Sequence, residues 1–261
     1  MLSGVGPKDH LNKLKIPVLL DLPVGNNYQN HPAMYHIGTK VPSLTKKNLE
    51  ELNIRKSGPL SKLPFIIAFV STGSNDDIEW PNASILSFVA TDDKLAHIMY
   101  LGRVSSTGTV RLNSVDSRVA PLIDPNIFFD PKDYSEFFNA TKFLLYLSQH
   151  PSLISDMTVP SLKRVRCDSC AGKRDYDCEE GLTCYLRKYT KQMAHPSGTC
   201  RMGAEDRDDV VVDPQLKVKN TRNLRVCDAS IYPVLPNGNT YAPTAMVGEK
   251  CAQMIKDFHK I

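Results

Sequence analysis

Four stretches decide the fold: LPFIIAFVS (63–71), ASILSFVA (83–90), HIMYLGRV (97–104) and GTVRLNS (108–114). Each is a short run of aliphatic, aromatic and β-branched residues closed by turn residues, which is how a strand reads. The links between them are shorter than the dozen or more residues that a parallel crossover needs. The spacing predicts an antiparallel sheet.

Helices flank that run. Asp130 can cap the next element and Pro131 suits its first position. Phe137, Phe138, Thr141, Leu144 and Leu145 then line one face, a core stripe by its spacing. A cysteine-rich loop (166–178) and a short helix from about Glu179 to Tyr189 come next. Short strands are expected around VVVD (210–213), LKV (216–218) and LRVCD (224–228), and a last helix over about Pro243 to Phe258. Upstream, an apolar-periodic stretch (Leu11, Leu14, Ile16) precedes the run Val18-Leu19-Leu20. The segment DLPVGNNYQNH (21–31) has the Pro, Gly and Asn content of an irregular loop. Thr45 to Lys56 reads as a helix that stops at Gly58-Pro59.

Composition narrows the function classes. With 32 basic and 28 acidic side chains the net charge is +4, and the basic residues are scattered, so nucleic acid is not an expected partner. The most apolar run, Leu63 to Val70, falls far short of the ~18 residues of a membrane span. The first residues, MLSGVGPKDH, lack the basic start and apolar stretch of a secretion signal. Asn82-Ala83-Ser84 and Asn139-Ala140-Thr141 nevertheless read as glycosylation acceptors of a secreted protein.

Four of the seven cysteines, Cys167, Cys170, Cys178 and Cys184, form the pattern C-x2-C-x7-C-x5-C. One C-x2-C pair is present where a four-thiolate zinc site usually shows two. Disulfides that staple a polar loop are the favoured reading, zinc the other, and no catalytic metal is expected. Cys227 and Cys251, in a predicted strand and helix, read as buried free thiols.

Common catalytic templates are missing. Gly4-Val5-Gly6 has no third glycine at the dinucleotide-binding spacing, and G-x-S-x-G and H-E-x-x-H do not occur. The last third is richer. His195 lies in AHPSGTCRMG, where Pro196 and Gly198 impose an irregular backbone that can leave an imidazole free to take a proton near neutral pH. Asn239 lies in LPNGNTYAPTAMVGEK, just before the last helix, which Thr240 can cap and whose first turn suits Pro243. Such a helix start presents unpaired N–H groups and partial positive charge to an anion-bearing cofactor. Alone, a loop histidine and an Asn before a helix are most often ordinary residues, and they establish no more than an enzyme-like α+β chain.

The ordered motifs carry more. HPSGTCRMG (195–203) and VVDPQLKVKNTRNLRVCDASIYPVLPNGNTYAPTAMVGEKCAQMI (211–255) resemble the C-terminal end of the glucose-methanol-choline oxidoreductases, especially their arthropod glucose-dehydrogenase-like branch. STGTVRLNS (106–114), PLIDPNIFFDPKD (121–133) and SGVGPKDHLNKLKIPVLLDLPVGNNYQNH (3–31) are similar to earlier parts of the same pattern.

The resemblance implies an α+β architecture: an antiparallel-sheet substrate domain with flanking helices, plus the C-terminal part of a Rossmann-type FAD-binding domain. Its implied bounds are 1–35 for the end of the FAD-binding region, 36–193 for the substrate domain and 194–261 for the active-site and FAD-contacting segments. It also implies that His195 is the catalytic acid/base and Asn239 the second catalytic residue. FAD contacts fall on Asp228, Ala229, Asn239, Thr240 and Pro243. The implied partners are an alcohol or sugar oxidised at its CH–OH group and an electron acceptor, quinone or oxygen. The family's glycine-rich ADP-binding turn is not found, so Met1 is expected to be internal to a longer pattern. VGNNYQNH departs from the usual V-G-x-N-L-x-D-H by carrying Asn30 in place of the acidic residue. The competing reading is a secreted, cysteine-stapled binding module that has lost catalysis.

Overall fold

The computed structural model describes residues 1–40, 66–73, 77–91, 94–148, 170 and 177–260. The expected helix over Thr45 to Lys56 and Cys167 lie outside the described residues. The chain forms two compact units. One comprises Met1–Asn30, Val104–Asp130 and Ala194–Ile261; the other comprises His31–Arg103 and Pro131–Met193. Residues Val104–Asp130, inside the expected 36–193 segment, therefore belong with the two terminal segments.

The second unit holds the antiparallel sheet. Strands β3 (Pro32–Lys40), β4 (Ile66–Val70), β5 (Ala83–Thr91), β6 (Lys94–Leu101) and β9 (Lys191–Gln192) are ordered β4-β5-β6-β3-β9. Leu86 and Tyr35 both pair with Ile98, and Ala33 pairs with Tyr100, which sets the side chains of one face in rows across the sheet. Helix α2 (Pro131–Ser148) begins at the proline that the sequence marks. Phe137, Thr141, Leu144 and Leu145 on its expected face are buried. Phe137 and Leu145, at 0% and 2% exposure, each contribute ~1.5–3 kcal/mol of burial. Helix α3 (Glu179–Tyr189) takes Cys178 as its N-cap, whose sulfur accepts from the Gly181 N–H.

The first unit opens with β1 (Val5–Gly6), α1 (Lys8–Lys13) and β2 (Leu20–Asp21), and its two strands pair in parallel. A parallel pair joined through a helix fits the end of a doubly wound domain. Strand β7 (Thr109–Arg111) pairs with β8 (Leu122–Asp124) in a separate two-stranded sheet, so the fourth predicted strand does not extend the main one. Around residues 202–225 only isolated bridges form in place of the expected strands. The core there is Leu22, Val211, Val212, Leu216, Val218, Ile231 and Tyr232, closed by Val247 and Cys251 of helix α4 (Tyr241–His259).

The cysteines and sequons bring two corrections. Cys227 and Cys251 are not free thiols: they are bonded to each other, their Cα atoms 5.9 Å apart, well within bridging range. In the cysteine loop Cys170 is bonded to Cys178, and Cys184 is also disulfide-bonded, in line with the favoured reading. Asn82 is unsuited to carry glycan. It is fully buried, its carboxamide bonded to the Thr72 backbone N–H and hydroxyl and to Glu136. Asn139 lies in mid-helix, and the Thr141 of its triplet is buried with its hydroxyl donating to the Phe137 carbonyl.

Candidate active site

The His195 loop is held from both sides within the first unit. Gly198 has φ +84°, a conformation glycine adopts at little cost, and it turns the chain there. Beyond it the Gly198, Cys200 and Met202 N–H groups donate to the Ala229, Ser230 and Ile231 carbonyls at 3.1, 2.7 and 2.8 Å. Those acceptors form a 3-10 turn (Ala229–Ile231) that Asp228 caps by accepting from the Ser230 N–H at 2.8 Å. On the other side Ser197 and Gln29 exchange two backbone hydrogen bonds of 3.0 Å. The His195 N–H donates to the Asn30 side-chain oxygen at 3.3 Å. Asn30 thus supplies an acceptor at the position where the family pattern has an acid, but without a negative charge.

His195 is half-buried, and burial pushes its imidazole pKa below the ordinary 6.5. Desolvation disfavours the imidazolium, so burial favours the neutral ring, the form in which an imidazole can act as a base.

Asn239 is exposed and lies two residues before the start of α4, next to its N-cap residue. Thr240 is the N-cap residue, yet its side chain makes no capping bond, which corrects the expected role. The helix begins at Tyr241, two residues before the expected start, so Pro243 is its third residue. The Tyr241 and Ala242 N–H groups lie beyond the reach of intrahelical acceptors, and Pro243 has no N–H to satisfy. Thr244 anchors this start: its N–H and hydroxyl bond the Thr240 carbonyl, and its hydroxyl pairs with the Tyr232 hydroxyl at 2.9 Å.

Of the residues expected to contact FAD, Asn239, Thr240 and Pro243 sit together at this uncapped helix start. Asp228 is exposed but commits one carboxylate oxygen to the 3-10 turn, and the Ala229 carbonyl is taken by Gly198. The donor set fits an anionic or electron-rich group at the α4 start. It suits the ring end of a flavin; the pyrophosphate end needs a glycine-rich turn, and no G-x-G-x-x-G occurs in the 261 residues.

Sequence reading missed how much the segment 27–30 does. Asn27, Gln29 and Asn30 all bond to the His195 loop or to the 232–235 stretch that leads to Asn239. Nothing in this stretch, which reads as an irregular loop, marks those carboxamides in advance. Among the described residues no group of His, Cys, Asp and Glu is placed to hold a metal ion, and no helix is long and apolar enough to cross a membrane.

Comparison with known proteins adds the following. A family model described as GMC oxidoreductase matches residues 104–248. The chain is 34% identical to an oxygen-dependent choline dehydrogenase of Chromohalobacter salexigens, over 97% of this chain and 47% of that protein. It is 31% identical to a 5-(hydroxymethyl)furfural oxidase of Methylovorus sp., again over 97% of this chain and 47% of the relative. The chain thus spans about half the length of the relatives it matches. Among solved structures, a formate oxidase superposes with a TM-score of 0.81 at 24% identity, over 99% of this chain and 52% of the other, which shows the fold.

Proposed function

The chain belongs to the GMC oxidoreductase family, and we propose that it supplies the proton-handling portion of an FAD-dependent enzyme oxidising the CH–OH group of an alcohol or sugar. The observation that carries this reading is the half-buried His195 on a loop fixed from both sides, where burial disfavours the charged ring. Alcohol oxidation requires loss of the hydroxyl proton as well as hydride transfer. When bound, FAD supplies the hydride acceptor. A ring nitrogen of His195 takes the hydroxyl proton. The Asn239 carboxamide donates to the substrate oxygen as charge develops on it. The uncapped start of α4 favours negative charge beside Asn239.

Relatives named as a choline dehydrogenase and a hydroxymethylfurfural oxidase support a small alcohol as substrate, and the former's oxygen dependence supports oxygen as acceptor. The Cys170–Cys178 and Cys227–Cys251 disulfides favour an oxidising compartment. The test is anaerobic mixing of the FAD-loaded protein with a panel of alcohols and sugars. Bleaching of the flavin band by at least one of them is expected; no bleaching by any would overturn the proposal.

A further inference from the structure

Two side chains that touch neither expected catalytic group connect the stretches that carry them. Gln29 is 3% exposed, and both the nitrogen and the oxygen of its carboxamide are hydrogen-bonded. Its Nε2 donates to the Pro233 carbonyl at 3.2 Å, and its Oε1 accepts from the Leu235 N–H at 2.8 Å. Its backbone, meanwhile, pairs twice with Ser197. One residue therefore joins the loop two positions after His195 to the stretch four positions before Asn239. Asn27 repeats the arrangement, its Nδ2 donating to the Gly198 carbonyl at 3.2 Å and to the Tyr232 carbonyl at 3.3 Å. Its φ of +55° is one that Asn tolerates better than most residues.

The close seating of the loop supports the same idea independently. A Cβ built on Gly198 would lie 2.3 Å from the Asn27 carbonyl oxygen, 2.9 Å from Asn27 Nδ2 and 3.1 Å from Gln29 Nε2. Only a residue without a side chain lets the His195 loop rest on both carboxamides.

We infer that Gln29 and Asn27 are positioning residues that fix the His195 loop and the Asn239 stretch in one register through paired side-chain hydrogen bonds. The inference rests on the roles proposed above for His195 and Asn239. A carboxamide suits the task because it offers donor and acceptor at once. Buried polar groups that are fully satisfied hold a unique arrangement, whereas half-satisfied ones do not. Gln29→Met keeps length and bulk but leaves the Leu235 N–H without its acceptor.

The test uses the FAD-loaded protein with Gln29→Met, and Asn27→Gly as a second variant that keeps the positive φ while removing the two donors. Two readouts are needed. Amide exchange at Ser197 and Leu235 should speed up roughly 10–100-fold in Gln29→Met, while α2 exchange is unchanged. Turnover should fall ~10-fold or more with KM and flavin content near wild type, since register changes but binding groups remain. Asn27→Gly should give the same pattern more weakly. Unchanged exchange at both amides would overturn the inference even if the protein oxidises alcohols. So would turnover and flavin content falling together, which would mark Gln29 as a general stability residue. If wild type oxidises no alcohol, the proposed function fails while the exchange readout still tests the linkage.

Discussion

Removing the Cys227–Cys251 disulfide is a sharp perturbation because its magnitude follows from chain position. The bonded residues are 24 apart, and the loop-entropy relation assigns such a crosslink about 3.5 kcal/mol of stabilisation. The same relation gives the Cys170–Cys178 bridge, with a separation of 8, about 2.5 kcal/mol, so the longer loop gains only logarithmically. Alanine is the better replacement at Cys251, which is 3% exposed, because a serine hydroxyl there would need a partner. Cys227→Ala with Cys251→Ala is expected to lower the thermal midpoint of the first unit by roughly 7–14 °C, at 2–4 °C per kcal/mol for a protein of this size. The bridge ties the segment that enters the Asp228–Ile231 turn to α4, so exchange in that turn should rise as well. The assay is calorimetry of oxidised wild type against the double variant. A loss of under ~1 kcal/mol, or alkylation of both cysteines in unreduced, unfolded wild type, would refute the reasoning.

Three further outcomes are expected. Gly198→Ala should destabilise the His195 loop by at least ~1–2 kcal/mol from backbone conformation alone, before the clash with Asn27 is counted; an unchanged melting curve with full turnover would contradict this. Because burial disfavours the charged imidazole, kcat/KM should be lost as pH falls along a limb centred below 6.5, and His195→Ala should lack that limb. A limb centred above 7 would show that a neighbouring charge governs the ring instead. Last, the 261-residue chain should bind FAD only weakly, with a Kd above about 1 μM (~8 kcal/mol), since the pyrophosphate finds no glycine-rich turn in it, so the flavin-bleaching assays load it at saturating FAD. Fluorescence titration checks this, and tight binding would overturn it.

What could be read beforehand was what local chemistry dictates. β4, β5 and β6 are contiguous hairpin partners, and Pro131 and the apolar face of α2 are legible within one helix. β3 escaped because Pro32 and Gly38 disguise it and its partner β6 lies some sixty residues on. Thr109–Arg111 reads as a strand, but nothing in it says that it pairs with Leu122–Asp124 rather than with the main sheet. The Cys227–Cys251 bond was equally illegible: strand-like and helix-like settings say nothing of a 5.9 Å approach. His195 and Asn239 were singled out by the resemblance of their motifs to a known family; the glycine, proline and helix start that mark their loops do not by themselves distinguish them from ordinary loop residues. The roles of Asn27 and Gln29 were not legible, since a buried carboxamide network has no sequence period.

The central claim is that His195 is the base. Single-turnover mixing of the FAD-loaded His195→Ala variant with the best alcohol measures it most directly. A fall of ~10²–10⁴-fold in the rate of flavin bleaching, with flavin content unchanged, is the predicted result. A rate within about threefold of wild type, where the general-base term is ~10²-fold or more, would contradict the account.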